Sequence, residues 1–209
     1  MADTFIEAPA DPSRDRSQII AAILLGIAAT LTAIAAYNAA LTDGDALQGY
    51  TNSTRSLNDA NAFYAQGNTT ASSDQALFVE YANASFAGES DRAAYLRTLM
   101  RPELAEAVAW WESTDEAVTP FDDLEGNPYT IAEFDQAREL EARAQVEFDE
   151  AVDKDEQGDE FELATVFFAL SLFFGGIATL IAKRAVTTAL LIVSVVAIAA
   201  GSVILVRAF

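Results

Sequence analysis

Two acidic clusters contain residues whose types and spacing could support chemistry. Residues 153–159 carry Asp153, Asp155 and Asp159 at spacings that match the opening of a calcium-binding loop. Such a loop ends on a bidentate glutamate at its twelfth position, but Ala164 stands there in this chain. We therefore interpret these carboxylates as a solvated acidic collar, and the sequence predicts no metal site.

The second cluster, Asp122, Asp123 and Glu125, could exchange protons with a substrate. General acid–base catalysis by a pair of carboxylates requires a pocket that gives the two groups different pKa values. Nothing in the sequence indicates such a pocket. Trp110 and Trp111 could form an aromatic ligand site, but one tryptophan of such a pair more often packs inward while the other lies at an interface. We predict packing for this pair.

The amino-acid composition excludes most other kinds of catalytic site. The 209 residues include no His and no Cys, which excludes Ser-His-Asp and Cys-His centres, the usual zinc sites and disulfides. With 32 acidic residues against 12 basic ones, the chain carries a formal charge of −20, which repels nucleic acid. We expect a non-enzymatic protein with no catalytic residue, no cofactor and no nucleic acid partner.

Three apolar segments without charged residues indicate a membrane protein. Residues 19–41, 163–182 and 185–206 each reach the roughly 20 residues that a helix needs to cross a bilayer. The first segment is too long for a secretory signal peptide, and we interpret it as an uncleaved anchor. The sequence predicts three transmembrane helices in contact with membrane lipid.

The basic residues near these segments predict their orientation. Arg14 and Arg16 precede the first span, and Lys183 and Arg184 form the turn between the second and third spans. Because basic residues are retained in the cytoplasm, residues 1–18 and the turn 183–184 are expected inside the cell. Residues 42–161 and the C-terminus at 207–209 are then extracellular.

The predicted extracellular domain, residues 42–161, contains 27 acidic and 7 basic residues and so accounts for the whole net charge. This acidity, with only two Lys against ten Arg, is similar to the protein composition of salt-loving archaea, where it aids solubility. Three Asn-x-Ser/Thr sequons begin at Asn52, Asn68 and Asn83 and are possible glycosylation sites.

Helical periodicity predicts an all-α fold for this domain. We expect one helix from about residue 45 to 66, ending at Gly67, and a second from Ser72 to Gly88. A third begins near Ser90, and a fourth has Pro102 in its first turn. Residues 115–130 are a predicted loop.

The longest predicted helix begins at Thr130, the first residue of a capping box, and only Gly158 interrupts the helical pattern from there to Glu162. We expect it to continue into the second span. Its apolar stripe predicts a helix-packing interface within the domain or with another subunit. The stripe contains Phe134, Ala137, Leu140, Ala144, Phe148 and Ala151.

Small residues recur at four-residue spacing in all three spans, which lets helices approach closely within a chain or between chains. They are Ala22, Gly26 and Thr30 in the first span, Ser171, Gly175 and Thr179 in the second, and Ala197 and Gly201 in the third. The spans contain no Asp, Glu, Lys or Arg, which argues against a pump or an ion-coupled carrier.

The order of these segments resembles a family of small prokaryotic three-span membrane proteins of unknown function. Residues 58–66, rich in Asn, Ala and aromatic side chains, and residues 161–164 carry the likeness. The resemblance implies a helical, coiled-coil-like domain between the first and second spans, and it implies no activity. This chain has a longer middle domain than that family and lacks its His-rich run before the second span.

We expect the extracellular helical domain to mediate assembly, as a homo-oligomer or as an accessory subunit of another membrane protein. An extracellular ligand-binding sensor is an alternative, which would need a separate signalling partner because the cytoplasmic segments are short. An oligomeric cation channel is another, and it would require Thr187, Thr188 and Ser194 to face a common lumen.

Overall fold

The computed structural model describes residues 12–114, 119–181 and 183–209, with side chains described from Gln18 onward. Over this part of the chain the fold is all-helical, as predicted. The five helices are α1 (Pro12–Phe86), α2 (Ser90–Thr98), α3 (Pro102–Ser113), α4 (Ala132–Leu180) and α5 (Arg184–Ala208). Most of the predicted N-terminal tail, 1–18, lies outside the described residues, as does Ala182 at the end of the predicted second span.

Helix α1 is a single element of 75 residues, so the predicted start near residue 45, the predicted end at Gly67 and the new start at Ser72 are wrong. The hydroxyl of Ser72 donates to the carbonyl of Asn68, one turn earlier in the same helix, rather than capping a new one. An isolated glycine costs a helix only about 1 kcal/mol, which is too little to end it where tertiary packing holds both sides.

The end of α1 lies where the sequence indicated. Gly88 adopts a positive φ of 76°, and the backbone N–H of Glu89 donates to the carbonyl of Ala84 at 2.9 Å. This is the hydrogen bond of a Schellman motif, in which a left-handed residue reverses the chain and satisfies the last carbonyls.

The two short helices follow the sequence pattern. Helix α2 begins at Ser90, and α3 begins at Pro102, where the missing N–H of proline would have no helical partner. Leu104 and Val108 are fully buried on one face of α3, and Trp111 is half-buried on the same side. Residues 114 and 119–131 are non-helical, which agrees with the predicted loop in its described part.

Helix α4 begins at Ala132, two residues after the predicted cap, and continues through Gly158 to Leu180. The prediction that this helix runs on into the second span is therefore confirmed. The three helices α1, α4 and α5 each contain a segment long and apolar enough to cross a membrane.

The chain divides into two compact units. The span unit contains residues up to 50 and from 148 onward, and its core includes Phe161 and Phe168 of α4 with alanines of α1 and α5. The middle unit contains residues 51–147, and its core is built on Phe78, Leu104 and Val108.

Candidate functional site

The predicted stripe on α4 has its small members buried and its large members at the edge. Ala137, Ala144 and Ala151 are buried, at intervals of seven residues. Phe134 and Leu140 are half-buried, and Phe148 is exposed, with its ring 5.5 Å from that of Tyr50 within the span unit. The alanines form the contact line of α4, and the larger apolar side chains flank it.

Helix α1 carries a matching line of small residues that the sequence analysis missed. Ser53, Ala60 and Gly67 recur every seven residues in the middle unit, and Ala39 and Ala46 continue the same spacing in the span unit. The signal was present in the sequence as a seven-residue repeat of small side chains, but the predicted break at Gly67 concealed it.

Contacts within the middle unit show how closely α1 approaches α4. The hydroxyl of Ser53 donates to the backbone carbonyl of Ala144 at 2.8 Å. A methyl group placed on Gly67 would lie 2.7 Å from ring carbon Cε1 of Phe134, so only glycine fits without a shift of that ring. Side-chain bonds flank this line, including one from Ser56 to the carboxylate of Glu147 at 2.7 Å.

A buried carboxylate ties α1 to the start of α3 and to the loop before α4. Asp74 accepts hydrogen bonds from Nε of Arg101 at 2.7 Å and from the hydroxyl of Tyr129 at 3.0 Å. Arg101 also donates to the carbonyl of Thr130 at 2.7 Å, and its guanidinium lies 5.3 Å from the ring centroid of Tyr129. Burial and the bond to Asp74 raise the pKa of Tyr129 to about 12.

A second network joins α1, α2 and α3. The hydroxyl of Tyr81 donates to Glu112, and Arg97 bonds the same carboxylate at 2.9 Å. Burial, reinforced by Glu112, raises the pKa of the Tyr81 hydroxyl. Both networks hold helices in position, because their charged members bind each other rather than facing an open site.

Helix α2 presents apolar side chains to solvent. Leu96 packs against the middle-unit core, and Arg97 binds Glu112, so the helix is anchored on one side. On another side, Tyr95 of α2 and Leu99, the C-cap residue that keeps a right-handed helical backbone, are four residues apart and are 64% and 54% exposed. Residues at this spacing share a helix face. We call this pair the α2 face.

The predicted small-residue ridges of the three spans differ in whether they are buried in contacts between helices of the chain. Ser171 and Gly175 on α4 and Ala197 and Gly201 on α5 are buried, and Thr179 is half-buried. A methyl group on Gly201 would lie 2.8 Å from ring carbon Cε1 of Phe168. These ridges therefore line helix contacts in the span unit.

The ridge of the first span does not pack against the described residues of the chain. Ala22, Gly26 and Thr30 are exposed, and no atom lies within 4 Å of a methyl group placed on Gly26. The buried line of this span is formed instead by Ala21, Ala28 and Ala35, spaced seven residues apart. Four-residue spacing indicated that the helix can pack closely but did not identify which side packs.

The hydroxyl groups of the span unit bond to neighbouring atoms. Ser171 and Ser194 are buried and lie 2.8 Å apart, and Ser194 lies 3.1 Å from the carbonyl of Ser171. Thr187 is buried and donates to the carbonyl of Ile181, while the exposed Thr188 donates to its own helix at Arg184. Of the three residues that a pore would need to share, Thr187 and Ser194 are buried and hydrogen-bonded within one chain.

The remaining candidate residues lie on long helices. All three sequons lie on α1, where Asn68 and Asn83 are exposed and Asn52 is half-buried. Residues 153–159 are helical and belong to α4, so they do not form a calcium-binding loop. Trp111 packs edge-on against Phe78 at 5.1 Å, as predicted for one member of the tryptophan pair.

Comparisons of the chain with family models, with curated proteins and with solved structures found no match.

Proposed function

We propose that this chain is a non-enzymatic multi-pass membrane protein whose outward-facing helical domain mediates assembly or protein interaction. The observation that carries the proposal is the α2 face, formed by Tyr95 and Leu99. An exposed aromatic residue near the end of an anchored helix, with an exposed leucine one turn later at its C-cap, provides apolar area that becomes buried on contact with a partner. Tyrosine is also enriched at such contacts.

Rigid support favours the same role. Helix α2 is held by the Arg97–Glu112 ion pair and by Leu96, so the α2 face is already ordered before any partner binds. A preformed surface loses less conformational entropy on association than a mobile one. The partner is either a second copy of this chain or another membrane protein.

The proposed orientation places residues 42–161 outside the cell. It is supported by Arg14 and Arg16, which precede the first span, and by Lys183 and Arg184, which form the turn between the second and third spans. The channel alternative gains no support from the hydroxyl groups of α5, because Thr187 and Ser194 are buried and hydrogen-bonded within the chain.

The proposal is tested by a photoreactive phenylalanine analogue placed at Tyr95 in the full-length protein in its native membrane. We expect crosslinks from position 95, and the product mass distinguishes a pair of 22.4-kDa chains from a complex with a different subunit. The matched control carries the analogue at Ser73, an exposed position on α1. No crosslinked product from position 95, or equal products from both positions, would overturn the proposal.

A substitution series checks that the crosslink reports a functional contact. The double variant Tyr95→Ser/Leu99→Ser should reduce the mass of the complex extracted gently from the membrane, because it removes the apolar area of the α2 face. Leu57→Ser changes another exposed leucine of the middle unit and should leave that mass unchanged.

We also propose that the chain belongs with the haloarchaeal three-span proteins that it resembles, and that its charge is an adaptation to salt. Eighteen acidic and six basic residues lie within 51–147. Their mutual repulsion is screened at high ionic strength. Thermal unfolding of the full-length protein should therefore occur at lower temperature when salt is diluted, and an unfolding temperature independent of salt would contradict this assignment.

A further inference from the structure

The third sequon, Asn83-Ala84-Ser85, lies in the last turn of α1. Asn83 is exposed, whereas its neighbour Ala84 is buried. The helix ends at Phe86, and Gly88 then reverses the chain with its N–H bonded to the carbonyl of Ser85 at 3.1 Å. This sequon is therefore next to a helix end and its acceptor side chain faces solvent.

The helix end matters because the asparagine and the hydroxyl of a sequon cannot meet in a helix. Side chains two residues apart point in different directions around a helix, so sugar transfer requires the segment to unwind locally. Helix ends unwind at much lower free energy than helix interiors. Of the three sequons, the one at Asn83 meets this requirement most easily.

The other two sequons lie in the interior of α1, next to its packed face. Ser53, which follows Asn52, donates to the carbonyl of Ala144, and Gly67, which precedes Asn68, lies against Phe134. Unwinding at either position would separate α1 from α4. In the folded protein, Asn52 and Asn68 are therefore less accessible to a glycosyl transferase than Asn83 is.

Two exposed apolar residues share the helix face of Asn83. Val79 lies four residues before it and Phe86 three residues after it, and they are 54% and 82% exposed. A phenylalanine so exposed beside a valine is an apolar patch in contact with water. A glycan attached at Asn83, between them on this face, would bring apolar C–H groups of its sugars beside both side chains.

We propose that Asn83 carries an N-linked glycan that packs on Val79 and Phe86. In the transfer step, Nδ2 of Asn83 forms a bond to the anomeric carbon of a sugar carried on a lipid phosphate. The bond between that carbon and the phosphate oxygen breaks, and its electron pair leaves with the lipid phosphate. The amide proton passes to a carboxylate base of the transferase, so the step involves no oxidation or reduction.

The test uses full-length protein isolated from its native membrane and digested with trypsin and a glutamate-specific protease. Cleavage at Arg16, Arg55, Glu80 and Glu89 separates the sequons into peptides 17–55, 56–80 and 81–89. We expect peptide 81–89 to carry a sugar mass at higher occupancy than either other peptide. An unmodified peptide 81–89, or higher occupancy at Asn52 or Asn68, would overturn the proposal.

Substitutions in the sequon test the packing of the sugar. Ser85→Ala should remove the modification and make chymotrypsin cut severalfold faster after Phe86, because the ring loses its cover. Ser85→Thr keeps the sequon and should restore both the sugar and the slow cleavage. Thr70→Ala removes the sequon at Asn68 and serves as the matched control, with no change after Phe86. Equal cleavage in the Ser85→Ala and Ser85→Thr proteins would contradict the contact with Phe86.

The modification rests on the proposed function, because it requires residues 42–161 to be outside the cell. The chain has no cysteine, so Ser73→Cys introduces a single exposed thiol that a membrane-impermeant reagent can label on intact cells. Labelled protein without a sugar on peptide 81–89 overturns the glycan alone. Protein that is neither labelled nor glycosylated overturns the orientation as well.

Discussion

In the span unit, helices contact one another through alanine, glycine and hydroxyl groups around Phe161 and Phe168, whereas the middle unit adds charged networks to an aromatic core. Two long helices, α1 and α4, take part in both units, so the comparison concerns one helix pair in two settings. The apolar composition of the spans leaves close packing and short hydrogen bonds as the available contacts.

The middle unit can use charge because water is available to the outer side of each network. Arg101 neutralises the buried Asp74, and Arg97 pairs with the partly exposed Glu112. Burial of apolar side chains drives folding there, and the networks fix how the short helices sit on the core. The five predictions below test whether this division between the two units holds.

The largest effect is expected from Arg101→Ala. Removing the guanidinium leaves Asp74 buried without its cation, which should destabilise the middle unit by about 3 kcal/mol. Hydrogen exchange of the full-length protein in lipid discs, followed by peptide, measures this effect in each unit. Arg92→Ala breaks an exposed pair with Glu80 and should cost less than about 1 kcal/mol. Equal losses from the two variants would contradict a special role for Asp74.

Gly201→Ala should destabilise the span unit by about 1–3 kcal/mol, since the added methyl group meets the fully buried ring of Phe168. Denaturant titration of the full-length protein in bicelles measures the change. Gly176→Ala is the matched control, because no atom lies within 4 Å of its added methyl group. If both variants unfold at the same denaturant concentration, the close approach of Gly201 to Phe168 does not contribute to the free energy of unfolding.

Gly67→Ala makes the same type of contact in the middle unit, with the ring of Phe134. We expect a smaller loss, about 1 kcal/mol, because Phe134 is only half-buried and its ring can move toward solvent. Gly44→Ala in the same helix has open space and should stabilise by up to about 1 kcal/mol. Thermal unfolding followed by circular dichroism compares the Gly67→Ala and Gly44→Ala proteins. A larger loss of stability in Gly67→Ala than in Gly201→Ala would contradict the proposed difference between the two units.

Ser194→Ala removes the buried hydroxyl that bonds Ser171. Hydrogen bonds between helices in membranes contribute on average about 0.6 kcal/mol, so a loss of that order is expected in the bicelle titration. Thr188→Ala, which loses only a bond within its own helix, should change the midpoint less.

The last prediction, which appears only at alkaline pH, is a pH dependence through Tyr129, whose pKa rises from 10.0 to about 12 in the folded protein. The unfolded chain ionises this hydroxyl at lower pH than the folded chain does. Its contribution to stability is therefore complete below pH 10 and is lost as pH rises toward 12. Tyr129→Phe should flatten the alkaline decrease in unfolding temperature, and an unchanged slope would contradict the assignment to Tyr129.

Several elements of the fold could be predicted from local sequence signals. Charge-free apolar segments identified the spans, Pro102 marked the start of α3, and Gly88 marked the end of α1. Each signal acts through the backbone of its own segment, by solvation, by a fixed φ or by a left-handed turn. Such signals can be read without knowing which elements become neighbours.

The wrong predictions concern residues whose structural role depends on a contact with a residue distant in the sequence. Gly67 has the same local signal as a helix end, but in the folded chain it accommodates the ring of Phe134. The ridge of Ala22, Gly26 and Thr30 matches a packing motif, yet the buried line of that helix passes through Ala28 and Ala35. The Asp74 network joins three segments far apart in the chain, and no local pattern indicated it.

The sequence by itself determined that the chain is helical, that it has three segments able to cross a membrane and that it lacks His and Cys chemistry. Composition and periodicity suffice for these properties because each depends on a residue and its solvent. Only the tertiary structure decided that α1 passes unbroken through Gly44 and Gly67, that Asp74 is buried with Arg101, and which face of each span packs. Those outcomes depend on the free energy of contacts between distant segments, which outweighs the weak local preference of a single glycine.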